Sequence, residues 1–155
     1  MAAFAIALRL GAITTEKQME IELLENPEQE LIDFLSERIA EFNWQQWEVS
    51  ERKPLALQVK SDNGEVIAGA AGRTFGDWLL LDTLWVSDVL RGQNLGSQLL
   101  SRMESAAKAR GCKKCLLDTL NFQARPFYEK YGYRVEWVQE GYPQTGCKYF
   151  MTKML

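Results

Sequence analysis

The sequence predicts an α/β domain, of α+β type with a mixed sheet, on three observations. Apolar residues alternate with polar ones in several short runs, they recur at helical spacing in others, and the two kinds of segment are interspersed along the chain. No repeat, low-complexity stretch or linker-like shift in composition interrupts the 155 residues. Residues 1–155 therefore read as a single domain, long enough to bury a real core.

The elements follow in order. Residues 1–18 read as an upstream extension or an extra strand, since Met19 is an alternative start. Met19 to Leu24 alternates as a strand does. Asn26-Pro27-Glu28-Gln29 has the form of a capping box with proline at the first helical position, and the helix after it lines up Leu31, Leu35, Ile39 and Phe42. Leu55 to Lys60 and Glu65 to Phe75 are strands joined through the turn Asp62-Asn63-Gly64. Gly76-Asp77, glycine first, suits a type II′ turn into a long apolar strand, Trp78 to Val86. Leu95, Leu99, Leu100, Met103, Ala106 and Ala107 mark the most regular helix, with Lys108 and Arg110 in its last turn and Gly111 as its stop. Lys114 to Thr119 is a strand and Ala124 to Tyr131 a short helix. Tyr133 to Val138 and Lys148 to Met154 close the sheet.

Composition removes several function classes. Lys and Arg total 18 against 21 Asp and Glu, with no basic run, which argues against nucleic acid as a partner. The apolar opening Met1 to Leu10 is short and broken by Arg9, and no segment reaches the roughly 20 apolar residues of a membrane span. No membrane association is expected. Three irregularly spaced cysteines without secretory context point to a reducing, cytoplasmic compartment. There is no histidine, so neither a Ser-His-Asp or Cys-His nucleophile nor a His-bearing zinc site can be built. No metal is expected. Cys112 and Cys115, though spaced C-x-x-C, read as inert packing. Edge strands and the apolar N-terminal segment are compatible with a homodimer.

Val86 to Gly96 leads from a central strand through a polar turn into the most regular helix. Backbone N–H groups at a helix start are unpaired and carry the positive end of the macrodipole, so such a turn can hold a diphosphate. Gly92 and Gly96 would allow close approach, and Arg91 adds a charge. A glycine-rich turn alone also simply starts helices. It is not a Walker A loop, and its place after antiparallel strands does not suit a Rossmann fingerprint.

A pair of segments is more specific. Arg91-Gly92-Gln93-Asn94-Leu95-Gly96, between Leu84-Trp85-Val86 and Ser97, resembles the acetyl-CoA motif of the GNAT family of N-acetyltransferases, Gln/Arg-x-x-Gly-x-Gly/Ala. Asn121-Phe122-Gln123-Ala124-Arg125-Pro126-Phe127-Tyr128-Glu129-Lys130-Tyr131-Gly132-Tyr133 resembles that family's second signature, Asn-x-x-Ala-x-x-Phe-Tyr-x-x-x-Gly-Phe/Tyr. The two stand in the family's order and separation, and the similarity runs from Leu55 to the C-terminus. The resemblance implies the GNAT fold, a mostly antiparallel central sheet splayed at the acetyl-CoA site and flanked by helices. It also implies acetyl-CoA as cosubstrate, bound by Leu84, Trp85, Val86, residues 91–97, Asn121 and Tyr128, and transfer to a primary amine. The segment Glu140 to Phe150 resembles a bacterial subgroup acting on small amines. Asn94 departs from the motif's glycine. Asparagine tolerates a left-handed backbone and is a good N-cap, so either the turn survives or the cofactor site is weakened.

An alkyl amine is mostly protonated at neutral pH, so a base must take its proton. Asp82 is the first candidate: strand alternation puts Trp78, Leu80, Asp82, Leu84 and Val86 on one face, where desolvation would raise a carboxylate's pKa. The expected register sets Asp82 opposite Ala71 with Gly69 and Arg73 on the diagonals, so an ion pair with Arg73 is the alternative. Asp118 is the second candidate, acting through water. The resemblance gives Tyr128 the role of proton donor to the departing thiolate; a phenol near pKa 10 against a thiol of about 8–9 suits it. Without the motif, Tyr128 would belong to a short helix's apolar stripe. Asn121 is either a contact to the CoA arm or a cap or turn residue. Trp44, Trp47, Trp78, Trp85 and Tyr142 are core or pocket wall without distinction. Acetylation of a small-molecule amine is the leading function. An idle acyl-CoA sensor, a lysine or N-terminal protein acetyltransferase and an ATP-binding protein are the alternatives.

Overall fold

The computed structural model describes residues 20–155, which divide into two units, 20–41 and Phe42–Leu155. The expected extension over residues 1–18 lies outside the described residues. In the first unit, residues 20–24 form no strand. Alternation is a pattern and not a partner, and without a ladder to join, such a segment has nothing to hold it extended. Helix α1 (Gln29–Trp44) starts two residues beyond the proline expected to open it, with the Glu28 carbonyl accepting from the Leu31 amide at 3.1 Å.

The second unit is built on a six-stranded sheet. Its strands are β1 (Lys53–Lys60), β2 (Val66–Phe75), β3 (Trp78–Val86), β4 (Lys114–Leu120), β5 (Arg134–Glu140) and β6 (Cys147–Met154), in spatial order β1-β2-β3-β4-β6-β5. All neighbours are antiparallel except β3 and β4. A parallel pair needs a crossover, and α2 (Leu95–Ala109) provides it. A short helix, α3 (Arg125–Lys130), joins β4 to β5.

Each hairpin follows from its turn. Gly64 takes φ +87° between β1 and β2, and Gly76 takes φ +53° between β2 and β3, the left-handed first position of a II′ turn. Leu99, Leu100, Met103 and Ala107 of α2 are buried against the sheet's inner face, which presents Leu79, Leu81, Leu117 and Met151. The helix stops where the sequence places the stop. Gly111 is left-handed, its amide bonds the Lys108 carbonyl at 2.8 Å, and the Cys112 amide reaches Ala107 at 3.0 Å, a Schellman closure. One polar cluster ties α2 to the far strands: Lys153 of β6 donates to both oxygens of Glu104 (2.9 and 2.7 Å), and the Tyr133 hydroxyl donates to the same carboxylate at 2.9 Å.

Register shifts break the alternation at three places, one between Val59↔Ala68 and Lys60↔Val66 of β1 and β2, and two bulges that bear on the site. On β3 the pairing with β2 steps between Leu81↔Gly72 and Thr83↔Ala71, so Asp82 is an extra residue with no partner of its own. The expected pair Asp82–Ala71 is therefore not formed. On β5 the pairing with β6 steps between Val135↔Met151 and Trp137↔Phe150, leaving Glu136 as the extra residue. A bulge bends its strand and re-aims the side chains beyond it. Here Leu84 and Val86 rejoin the inner face that Leu79 and Leu81 occupy.

Candidate active site

The site is a fork in the sheet. β3 and β4 pair only from Trp78↔Lys114 to Leu81↔Leu117; the next residues, Asp82 and Asp118, begin two diverging arms. Into the gap opens a cavity of about 850 Å³ that reaches from the start of α2 to Tyr128. The Ser87 amide bonds the Ile67 carbonyl of β2 at 3.0 Å. Strand alternation then turns the amide and carbonyl groups of Val86 and Leu84 the other way, toward the gap that β4 has vacated. These are free main-chain groups of the kind an amide-bearing chain can pair with as a further strand would.

At the cavity's other end lies the turn into α2. Gly92 takes φ +80° and Asn94 takes φ 60°, ψ 9°. Asparagine at the motif's glycine thus adopts the left-handed geometry the turn requires, although its side chain makes no capping bond. The first helical amide to find a carbonyl is Gln98, which bonds Asn94 O at 3.1 Å. The preceding amides are left for a ligand or water. Arg91, paired with Asp88 at 2.7 Å, keeps its side chain 65% exposed beside the turn.

At Gly96 a Cβ would meet the Leu84, Val86 and Phe127 side chains at an ordinary 3.8 Å, so alanine fits there. At Gly92 nothing crowds a Cβ, but the positive φ penalises one. Gly92→Ala is therefore expected to weaken CoA binding about fivefold, from a strain near 1 kcal/mol, while Gly96→Ala leaves it within twofold or so; calorimetric titration of both checks the contrast.

Tyr128 is placed by the β4–α3 turn. Gln123 Oε1 accepts from the Leu120 amide at 2.8 Å and Thr119 Oγ1 from the Ala124 amide at 3.3 Å, which sets α3 across the fork. The ring is buried, edge-on to Phe127 and Tyr133. Burial, with Cys115 and Asp118 nearby, pushes its phenol up to about 12. It is a neutral O–H donor lining the cavity.

Asp82 lines the same cavity but not as a desolvated carboxylate. Its side chain is 51% exposed and bonded to Arg73 at 2.6 Å. The reason is the bulge, which sends Leu84 and Val86 to the inner face and leaves Asp82 on the exposed outer face beside Arg73. Asp118 lies across the fork, 47% exposed, with Lys148 at 3.3 Å. Lys148 went unnoticed in the sequence because only the β4–β6 register brings it there. Leu84, Trp85, Val86, Arg91, Gly92, Asn94, Leu95, Gly96, Ser97 and Tyr128 all line the cavity. Gln93 and Asn121 do not. The Gln93 side chain turns back toward the Val89 carbonyl at 3.5 Å, and Asn121 Oδ1 accepts from the Cys147 amide at 3.5 Å, the turn role. Cys112 and Cys115 are buried free thiols, both with raised pKa from burial, Cys115 to about 11.

The model of the acetyltransferase (GNAT) family matches residues 16–133. The chain belongs to the GNAT family of acetyltransferases. It is 35% identical over 111 residues to blasticidin-S acetyltransferase of Streptomyces morookaense, covering 69% of this chain and 82% of that one. A crystal structure of an acetyltransferase from Bacillus cereus superposes with a TM-score of 0.78 at 31% identity, covering 86% of this chain and 98% of that one. An aminoglycoside 6'-N-acetyltransferase complexed with coenzyme A is similar in fold, with a TM-score of 0.58 at 18% identity over 88% of this chain and 97% of that one. GNAT acetyltransferases use acetyl-CoA, and the fork fits it. The unpaired amides before Gln98 suit a diphosphate, and the free edge of β3 suits the amides of its arm. Among the described residues no helix is long and apolar enough to cross a membrane, and no three His, Cys, Asp or Glu side chains converge as a metal site.

Proposed function

We propose that this GNAT acetyltransferase, acting as one domain over residues 1–155, transfers the acetyl group of acetyl-CoA to a primary amine of a small molecule by direct attack. The observation that carries the reading is the fork itself, a single cavity joining the anion-ready turn at Gly92–Gly96 to the Tyr128 hydroxyl, with Asp82 and Asp118 at its base. Its likeness to blasticidin-S acetyltransferase supports a small-molecule acceptor.

Acetyl-CoA supplies the thioester. The amides from Gly92 to Gly96 hold the diphosphate, and Leu84 to Val86 hold the arm, bringing the acetyl group to the point where β3 and β4 part. Asp118 and Asp82 draw in the acceptor's ammonium. Of the two, Asp118 has the looser partner, 3.3 Å from Lys148 against 2.6 Å between Asp82 and Arg73, and exchanges it more readily for the incoming cation. The amine gives its proton to Asp118 or through it to water, and its nitrogen forms the new bond to the acetyl carbon as the carbon–sulfur bond breaks. Tyr128 meets the sulfur. With its phenol near 12, about three units above a thiol near 8.5, full transfer from tyrosine would run uphill by roughly 4–5 kcal/mol. Its first work is thus to hydrogen-bond the developing thiolate, with the proton following as the product thiol forms.

The test incubates purified protein with acetyl-CoA and a panel of polyamines, aminoglycosides, nucleosides bearing amines, amino acids and peptides while free CoA thiol is measured. Thiol release with one or more small amines is expected, and Asp118→Asn should lower it about tenfold or more, beyond Asp82→Asn. CoA binding with no release for any small amine would end the proposal. The left-handed Asn94 supports a turn able to hold the diphosphate as one with glycine would, and thiol release in the same assay separates an enzyme from an idle CoA sensor.

A further inference from the structure

Beyond the fork, the sheet's outer face carries an aromatic pair that the fold alone does not explain. Asp118, Phe150 and Trp137 are consecutive partners across β4, β6 and β5, so their side chains stand in one row on one face. The rings of Trp137 and Phe150 are stacked, with centroids 5.0 Å apart at 27°. Trp137 is nevertheless 57% exposed. Its position depends on the bulge at Glu136. With regular pairing Trp137 would sit beside Tyr149 on the inner face, and Glu136 would take the place beside Phe150. A tryptophan inward and a glutamate outward is the cheaper arrangement for a sheet. The bulge reverses it, setting the edges of an aromatic stack in water in the same row as a carboxylate that lines the cavity.

We infer that Trp137 and Phe150 form the acceptor's ring-binding platform, and that the acceptor is an elongated amine whose planar ring packs against the exposed ring edges of this pair while its ammonium reaches Asp118. The inference rests on the small-amine reading above and narrows it to a substrate class. Two strand spacings separate Trp137 from Asp118, about 9–10 Å, so an ammonium hydrogen-bonded to the carboxylate lies roughly 7 Å from the ring. Charge is complementary along the row. The ring end meets aromatic carbon, and the cationic end meets Asp118, with Asp82 on the other arm of the fork. Lys148, 3.3 Å from Asp118 and 4.6 Å from the centre of the Tyr142 ring, already shows a cation held between carboxylate and aromatic ring here.

Two readings separate this inference from the one it rests on. The first is kcat/KM by thiol release for phenylbutylamine, benzylamine and hexylamine. Phenylbutylamine is expected to exceed both by about tenfold, mainly through KM. Trp137→Ala brings its ratio to hexylamine near one, and Trp137→Phe, which keeps a ring, retains the preference. The second is calorimetric binding of phenylbutylamine to the protein–CoA complex, which needs no turnover. Affinity lowered about tenfold in Trp137→Ala supports the platform. Equal affinity in wild type and Trp137→Ala, or a ring preference that survives the alanine, overturns it. Turnover absent for every amine, with ring binding still lost in Trp137→Ala, would instead sink the small-amine reading while leaving the platform.

Discussion

Tyr128→Phe is expected to lower kcat about a hundredfold or more while CoA affinity stays within about twofold. The ring lies in an aromatic cluster that phenylalanine fills equally well, and the hydroxyl makes no hydrogen bond to protein among the described residues, so its loss leaves no orphaned partner. Stability should stay within about 0.5 kcal/mol of wild type. On the proposed mechanism what disappears is the neutral donor to the thioester sulfur, and removing a donor of this kind costs about 10²–10³ in kcat. The phenol's shift adds a check by pH. Its folded value near 12 exceeds the unfolded value near 10, so the folded protein binds this proton more tightly. The resulting stabilisation is fully present below pH 10 and is lost as pH rises toward 12, about 2–3 kcal/mol in all. Alkaline denaturation of the Phe variant should lack that decline. Single-turnover kinetics with unchanged acetyl transfer in Tyr128→Phe would take the tyrosine out of the chemistry.

The largest effect on folding is expected at Gly72. It pairs with Leu81 at the inner side of the β3 bulge, and a Cβ placed there would lie 2.2 Å from the Leu80 carbonyl oxygen and 3.1 Å from the Leu81 Cα. These are backbone atoms of a central strand and cannot rotate aside. Gly72→Ala must push β2 and β3 apart where the bulge starts, at a cost of about 3 kcal/mol, or roughly 6–12 °C in Tm. The same displacement moves Asp82 and the free edge of β3, so residual folded protein should bind CoA more weakly than wild type. A melting curve superposing on wild type would show that the strands part there without strain, contrary to the close contact described.

The order and type of elements in the second unit were legible in the sequence because several turns and the end of α2 were marked by a glycine in a left-handed conformation, Gly64, Gly76 and Gly111 among them. That the turn into α2 and Tyr128 would face one site was legible through motif spacing, and both line one cavity. What alternation missed was the pair of bulges. In Leu81-Asp82-Thr83-Leu84 and Val135-Glu136-Trp137-Val138 the inward apolar residues stand three apart instead of two, with an acid first in the gap. That spacing, with Gly72 interrupting the strand opposite β3, is the signal that could have located the first bulge. Simple alternation sets Asp82 in an apolar row with Leu84 and Val86; the bulge takes those two to the inner face and leaves Asp82 exposed beside Arg73. The strand expected over Met19 to Leu24 failed for a separate reason, since strand character is a property of a pair and no single segment can supply it. Lys148 and the Trp137–Phe150 row depend on the order β4-β6-β5, which no local pattern encodes.

A crystal structure of the protein with CoA tests the central claim most directly. The diphosphate oxygens are expected within about 3 Å of the backbone nitrogens between Gly92 and Gly96, with the arm running along Leu84 to Val86 and the sulfur beside the Tyr128 hydroxyl. A diphosphate bound elsewhere, or a fork left empty at saturating CoA, would contradict the account.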